Sequence, residues 1–529
     1  MANDYDADVI VIGSGTVGAN AAYELAKQGK SVLMLEAGVR IPRWRLIEAF
    51  RNSPRRTDYN GPYPDEPWAH TSASHDYVEN DGDFPMIANF LKLVGGSTWH
   101  WGGATWRFIP DDFKMQSTYG VGRDWPIEYS DLEPWYVKAE YEIGVAGNMK
   151  EDQSGVRKGE TWPPRSKDFP MPAQKNSYML DTFKSRIEPL GFDVVAEPSA
   201  MMSGNYRGRP GCVGNNNCAP VCPIGANYSG VFHADLAVEA GVKLMTNTTV
   251  TQIEKGPDGK IAAVKWKSSK GDEGRLTAKV FVLAAHGYES AKLMITSEVG
   301  NSSDMVGRNL MPHLGLGFDF FSEDPVWPGR GPIQQGAIFS YRDGPTRSQH
   351  SGMKHAVNNF VPNEAMTKRL LKKGVLGSEL DARIKHDSAR YMSLYSMFET
   401  LPDPANRVQP GPHKDALGQP NLRITYAVDD YARGAIDPCI NDYQQFVSAM
   451  NGEVLNMSRD LANHDHIMGT VIMGDKATDS VVDKDCRSWD HENLFVVSTG
   501  NLPSSSVVNP TLTAVALAIR AADTIAKEV

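Results

Sequence analysis

The first 36 residues of the chain spell out a complete β-α-β unit. Val9 to Ile12 is a short β-branched run, the composition of a strand buried on both faces of a parallel sheet. Gly13-Ser14-Gly15-Thr16-Val17-Gly18 follows. Ala19 to Lys27 then reads as a helix, with Val17, Ala21 and Leu25 on one face and Gly29 as its stop. Ser31 to Leu35 is a second strand, ending in Glu36. A lone G-x-G-x-x-G is a weak signal. Here it follows a strand and opens a helix, and Glu36 lies 21 positions after Gly15, near the spacing of about 20 found in dinucleotide sites. Gly13 permits the tight turn, Gly15 lets the backbone approach a pyrophosphate, and Gly18 lets the helix pack on the strand. The helix N-terminus offers free N–H groups and a positive dipole end to phosphates. Glu36 would accept hydrogen bonds from ribose hydroxyls. Gly13, Ser14, Gly15, Gly18 and Glu36 are therefore the candidate dinucleotide-binding residues, and the motif alone leaves FAD and NAD both open.

Composition narrows the remaining classes. The charge balance of 54 Lys plus Arg against 64 Asp plus Glu gives a net −10, which argues against nucleic-acid binding, a task for clustered cations. The 41% hydrophobic and 22% charged content belongs to a globular chain rather than a disordered one. At about 150 residues per domain, the length corresponds to three or four domain-sized units. The N-terminus carries three aspartates and no basic residue before the first apolar run, unlike a signal peptide. No stretch of about 18 apolar residues occurs. The chain is therefore expected to reach a membrane, or to be exported, only in the company of another subunit.

Further along, residues 40–90 read as long surface loops and 150–175 as a proline-rich connection. Strand-like runs return at Lys243–Met245, Val264–Lys267 and Val280–Ala284. Residues 313–460 mix strand and helix, with an amphipathic, basic helical piece at Glu364–Lys372. A helix is expected from Pro510 onward.

Several phrases recur in a telling order: Val94-Gly95-Gly96-Ser97-Thr98-Trp99-His100-Trp101, Val306-Gly307-Arg308-Asn309-Leu310, His466 to Gly474, and Asn509-Pro510-Thr511. Together with the opening unit they resemble the glucose–methanol–choline (GMC) flavoprotein oxidoreductases over nearly the whole chain. The resemblance implies FAD and an α/β fold (α+β overall). It implies a Rossmann-like FAD-binding domain assembled from discontinuous segments, here 1–45, 90–125, 205–312 and 462–529, with the cysteine cluster 212–222 inserted. A substrate domain with an antiparallel sheet, plus surface loops, would take 46–89, 126–204 and 313–461. Cofactor contacts are implied for Gly95, Gly96, Ser97, His100, Val250, Ala284, Gly500 and Thr511. A covalent link from His100 to the flavin is left open beside a packing role.

Thr98 to Trp101, Tyr119 to Trp125 and Cys212-Val213-Gly214-Asn215-Asn216-Asn217-Cys218 are more similar still to the large subunits of bacterial membrane-bound sugar and polyol dehydrogenases, the glucose, fructose, sorbitol and gluconate type. Pro312, before His313, and Gly102-Gly103, after Trp101, depart from that pattern at positions that shape the active site. The resemblance implies oxidation of an alcohol group, with a base taking the hydroxyl proton. Neutral imidazole suits that task. His466 is assigned as base and Asn509 as the group orienting the substrate oxygen. His464 competes, because in an extended segment it shares the face of His466.

Cys212, Cys218 and Cys222 have the spacing C-x5-C-x3-C, followed by Pro223, a pattern suited to an iron–sulfur cluster. Three thiolates suit [3Fe-4S]. A [4Fe-4S] cluster would recruit Cys439 or Cys486, and a disulfide with free thiols is the bland alternative. Zinc fits less well, with no histidine within ten residues. A one-electron cluster beside a two-electron flavin implies onward transfer. By resemblance the partners are a multihaem cytochrome c subunit, which supplies the membrane anchor and passes electrons to quinone, and a small subunit carrying a twin-arginine export signal. That places the chain at the periplasmic face of the bacterial inner membrane. A soluble GMC-type oxidase using O2 and a non-enzymatic subunit retaining the fold are the alternatives.

Overall fold

In a computed structural model, residues 5–53, 63, 77–156 and 158–529 are described. The opening unit forms as its spacing predicts. Strand Ala7–Ile12, helix Thr16–Lys27 and strand Val32–Leu35 follow one another. The helix begins three residues earlier than its apolar periodicity indicates, directly at the glycine turn. The two strands pair in parallel. They belong to a five-stranded sheet in the order Leu494–Val496, Ala278–Leu283, Ala7–Ile12, Val32–Leu35, Lys243–Met245, with every neighbour parallel. Val9 to Val11, Phe281 to Leu283 and Leu494 to Val496 are fully buried, as a sheet covered on both faces requires. Helix Thr511–Ala526 buries Leu512 to Ile519 without interruption. It lies against helix Thr16–Lys27. Helix Tyr129–Ile143 packs on its other side, and Tyr136 shares a 2.8 Å hydrogen bond with Thr513.

The second layer is an eight-stranded antiparallel sheet. Its main path runs Glu453–Met457, Gly317–Phe321, Tyr391–Phe398, Met353–Asn358, Gln334–Ser340, Val195–Ala196. Strand Met311–Gly315 pairs with both Tyr391–Phe398 and Ala462–Met468. Helices Tyr178–Ile187 and Ile436–Ala449 close one face of this sheet through Phe183, Tyr443 and Phe446. The opposite face turns toward the parallel sheet.

Residues 40–90 are not all loop. Arg43–Asn52 is a helix that buries Leu46, and Val78–Asn80 is an edge strand beside Pro420–Thr425. Both are short elements stabilised by tertiary packing rather than by a long periodic pattern; the rest of the predicted loop at 54–62 and 64–76 lies outside the described residues. The basic helix forms over Asn363–Lys372, with Met366 and Leu370 as its buried side. Among the described residues, no helix is long and apolar enough to cross a membrane.

Candidate active site

A cavity of about 630 Å³ opens where the parallel strands end. Gly13, Glu36, Ala284 and Val497 each follow a strand of that sheet, and all four line it. This is the crevice in which open α/β sheets bind ligands. Two helices also begin here. Thr16–Lys27 has Gly15 as its N-cap and Thr511–Ala526 has Pro510, and neither cap supplies a side-chain acceptor. Their first N–H groups are therefore available to a ligand, and the positive dipole ends favour an anion.

The glycines divide into two kinds. At Gly15 a β-carbon would meet no atom within 4 Å, so this position faces open cavity. At Gly18 it would lie 2.1 Å from the Gly13 carbonyl oxygen, and at Gly13, where φ is +106°, 2.5 Å from that of Ala284. Gly13 and Gly18 let strand and helix meet; Gly15 leaves room for something else. Gly95 and Gly96 have φ of +97° and +58°. A β-carbon on Gly96 would sit 3.1 Å from the Gly15 Cα, which wedges this turn against the first. Ser97 and His100 line the cavity, and the His100 ring meets Tyr63 edge-on at 5.8 Å. Val250 and Thr511 line it too. Ser14 is buried behind the wall, where its N–H and hydroxyl both donate to Glu36 Oε2, at 3.0 and 2.6 Å. The Gly38 N–H donates to Oε1 at 2.9 Å. Glu36 is thereby fixed by the protein: Oε2 is filled by its two donors, and Oε1 keeps a lone pair for a ligand. Gly500 is buried behind the wall against Thr470. An elongated cavity, uncapped helix starts, open space at Gly15 and an anchored carboxylate fit a flavin dinucleotide.

His464, His466 and Asn509 line the far end. His466 lies on strand Ala462–Met468, and His313 lies on its partner Met311–Gly315, where the register shifts between Pro312 and Leu314. That irregularity brings the two imidazoles together, with His466 Nδ1 2.8 Å from His313 Nδ1. His313 Nε2 lies 3.1 and 2.9 Å from the carbonyl oxygens of Ser505 and Ser506. His466 Nε2 lies 3.1 Å from Asn509 Nδ2, and Lys354 Nζ donates to Asn509 Oδ1 at 2.7 Å.

The two ends of this chain fix its direction. An ammonium only donates and a backbone carbonyl only accepts. Lys354 holds Asn509 Oδ1 toward itself, so the amide N–H donates to His466 Nε2. From the other end, His313 Nε2–H donates to the carbonyls, so His313 Nδ1 accepts from His466 Nδ1–H. Both deductions give one tautomer for His466, with Nδ1 protonated and Nε2 bare. Burial drives the His466 pKa well below the usual imidazole value, and the fields of His313, His464 and Lys354 act in the same sense. His466 is thus neutral, with Nε2 unprotonated and accepting from Asn509 at the cavity wall. Burial also holds His464 down at about 4. Its ring tilts against Tyr395 and lies against the Ser396 backbone. Both histidines face the cavity, but only His466 is tied to Asn509.

His313, Lys354 and Glu197 were missing from the sequence reading. The signal available was Met353-Lys354-His355, two polar residues inside an apolar strand, but nothing local linked them to Asn509. Gly102 owes its size to the same sheet: a β-carbon there would lie 2.6 Å from Gln334 Oε1.

Cys212, Cys218 and Cys222 come together in one apolar pocket with Met201, Ala226 and Ile333. None of the five cysteines is in a disulfide. Cys439 and Cys486 belong to other cores. The Gly214 N–H donates to Cys212 Sγ and the Asn227 N–H to Cys222 Sγ, each at 3.4 Å. Asn227 Nδ2 donates in turn to the carbonyl of Trp101, which lines the cavity, at 2.9 Å. Among the described residues, no group of three or more His, Cys, Asp or Glu is placed to hold a metal ion. A single ion draws its ligands to within ~2.3 Å of one point, whereas each thiolate of a cluster binds a different iron.

Comparison with known proteins accords with this geometry. Residues 197–315 and 402–518 match family models described as GMC oxidoreductase, and residues 8–44 match one described as FAD dependent oxidoreductase. The chain is 39% identical to the fructose dehydrogenase large subunit of Gluconobacter japonicus over 99% of both chains. It is 26% identical to the gluconate 2-dehydrogenase flavoprotein of Pantoea cypripedii over 95% of this chain and 91% of that one. The crystal structure of pyridoxine 4-oxidase from Mesorbium loti superposes with a TM-score of 0.66 at 18% identity, covering 98% of this chain and 99% of the other. The dinucleotide crevice, the His466–Asn509 pair and these similarities lead to one assignment: the chain belongs to the GMC oxidoreductases and is an FAD-dependent enzyme of that family.

Proposed function

We propose that this chain is the catalytic flavoprotein subunit of a dehydrogenase complex that oxidises an alcohol group of a sugar, sugar acid or polyol. The observation that carries the reading is the unprotonated Nε2 of a neutral, half-buried His466, held beside Asn509 at the cavity wall. Bound FAD supplies the acceptor for the two electrons and the hydrogen that leave the alcohol carbon. A substrate hydroxyl would enter from the cavity and take the place of the direct 3.1 Å contact between Asn509 Nδ2 and His466 Nε2. Asn509 Nδ2 orients its oxygen, and Nε2 receives its proton as the carbonyl forms. His313, anchored to two backbone carbonyls, keeps the ring from rotating. The buried walls exclude water. Gly13, Gly15 and the start of helix Thr16–Lys27 would hold the pyrophosphate, and Glu36 the ribose. The resemblance of two relatives that are themselves sugar or sugar-acid dehydrogenases supports the substrate class.

Cys212, Cys218 and Cys222 would hold a [3Fe-4S] cluster, which supplies one-electron transfer toward a redox partner. The shared apolar pocket, the N–H···S contacts and the link through Asn227 to the cavity wall support that role. The assembly we infer adds a small subunit carrying an export signal and a multihaem cytochrome c subunit at the periplasmic face of the inner membrane. The decisive experiment is anaerobic stopped-flow flavin reduction with a panel containing glucose, fructose, sorbitol, gluconate and 2-ketogluconate, repeated on His466→Ala. The expected outcome is a bleached flavin with at least one panel member and a loss of about 10²–10⁴-fold in the variant, with FAD still bound. Near-normal reduction by His466→Ala refutes the base assignment, and rapid O2 consumption without an added acceptor refutes the dehydrogenase assignment in favour of an oxidase.

A further inference from the structure

Lys354 lies inside strand Met353–Asn358 and is fully buried. An isolated ammonium there is costly. Its hydrogen bond goes to Asn509, and the nearby carboxylate is Glu197, itself buried. Both Glu197 carboxylate oxygens lack a hydrogen-bond partner among the described residues. Glu197 follows the edge strand of the same sheet, so a buried anion acts on the buried cation that holds Asn509.

We propose that Lys354 is a positioning residue: backed by the charge of Glu197, it locks the Asn509 amide so that Nδ2 faces His466, and thereby keeps His466 Nε2 unprotonated at rest, an acceptor that an entering substrate hydroxyl takes over from the amide. The inference rests on the reading of His466 as base. The lock works because the ammonium can only donate, so the flipped amide would place its N–H groups against the ammonium and its oxygen against His466. With that flip excluded, Nε2 has a donor opposite it and no acceptor, which disfavours protonation at rest.

The groups facing Lys354 are few. Glu197 comes from the loop after Val195–Ala196 and Arg342 from the end of the neighbouring strand Gln334–Ser340. His464 and His466 come from one strand and His313 from its partner. Trp106 presents its ring 5.4 Å from the ammonium. Burial pulls Lys354 down to about 8, with Glu197 opposing and Arg342 assisting. The lock is therefore charged at neutral pH and weakens in mildly alkaline solution, where a neutral amine can also accept from the amide.

The test uses FAD-loaded protein and three chains: wild type, Lys354→Met and Lys354→Arg. Flavin reduction is followed from pH 5 to 9, with FAD content read from the visible spectrum. In Lys354→Met the amide is free to flip and a nearby positive charge is gone. The acid limb of the profile is expected to move up by roughly one pH unit, with flavin reduction at neutral pH falling about tenfold. In Lys354→Arg a donor-only cation remains, and the limb is expected to return toward the wild-type position. A slower Lys354→Met with its limb unmoved indicates mere structural damage and overturns the proposal, as does an arginine variant that shifts the limb as far as methionine does. A readout independent of turnover is the ¹⁵N spectrum of histidine-labelled wild-type protein, with the His466 signal assigned by its loss in His466→Gln. A ring protonated at Nδ1 and bare at Nε2 is expected, and the opposite tautomer overturns the proposal even if the methionine variant does not fold. Failure of the base reading shows separately, as flavin reduction that survives His466→Ala.

Discussion

Replacing Gly15 by alanine separates cofactor binding from folding, because the structure gives this glycine a role opposite to that of Gly18. Gly15 has φ −62° and ψ 177°, a conformation alanine adopts without strain. Its added β-carbon would meet nothing within 4 Å. The apoprotein should therefore be as stable as wild type, or more so by about 0.4–1 kcal/mol through the stiffer unfolded chain. The same methyl group projects into the cavity where a pyrophosphate must touch the N–H groups that open helix Thr16–Lys27. Each hydrogen bond to a charged group that is lost costs about 1.5–3 kcal/mol, so the loss of one such contact weakens FAD roughly ten- to a hundredfold. At Gly18 the β-carbon would lie 2.1 Å from a backbone oxygen. Helix and strand must then separate by more than an ångström, at an overpacking cost of about 1–3 kcal/mol. The assay pairs thermal unfolding of FAD-stripped protein with FAD affinity from flavin fluorescence. Gly15→Ala should retain the apoprotein Tm and lose affinity, whereas Gly18→Ala should lose both. A Gly15→Ala protein that holds FAD like wild type would refute the placement of the pyrophosphate. One with a much lower apoprotein Tm would refute the claim that this glycine is kept for a ligand.

Three further outcomes follow from named groups. Cys218→Ser should remove the electron paramagnetic resonance signal expected of the oxidised cluster and stop reduction of a cytochrome acceptor, while flavin bleaching by substrate continues; a wild-type preparation with neither iron nor signal would exclude the cluster. Glu197→Gln removes the anion that supports the buried Lys354 ammonium, so any alkaline limb of flavin reduction near pH 8 should move to lower pH, and a limb moving upward would contradict the placement of that charge. His355 is a stability site. Burial disfavours its charged ring, but Asp442, 3.0 Å away, outweighs burial and raises it to about 9 from the usual 6.5. That shift corresponds to about 3 kcal/mol. Because the folded value is the higher one, this contribution is full below about pH 6.5 and disappears as pH rises through about 9. Thermal unfolding of His355→Gln should fall below wild type at pH 6 and converge with it above pH 9, and a constant gap across that range would show that the ion pair is not the cause.

The amino-acid sequence determined the nucleotide end of this protein. Strand, glycine turn, helix, strand and Glu36 are contiguous, their contacts are local, and local periodicity is what a sequence displays directly. The cysteine triplet was legible for the same reason, since its members lie within eleven residues. His466 and Asn509 were legible through family motifs and not through any local pattern. The tertiary structure alone decided the hydrogen-bond pattern around His466 on which its proposed role rests. His313, Lys354 and Asn509 are separated from their partners by 153 to 155 positions along the chain, or by 43 for Asn509 and His466. They meet because an antiparallel register shifts by a bulge at His313 and because a strand two places away in the same sheet turns a lysine inward. The direction of a hydrogen-bond chain follows from which groups stand at its two ends, a donor-only ammonium and acceptor-only carbonyls. No run of residues carries that information, because it exists only once the sheet has placed both ends around one ring.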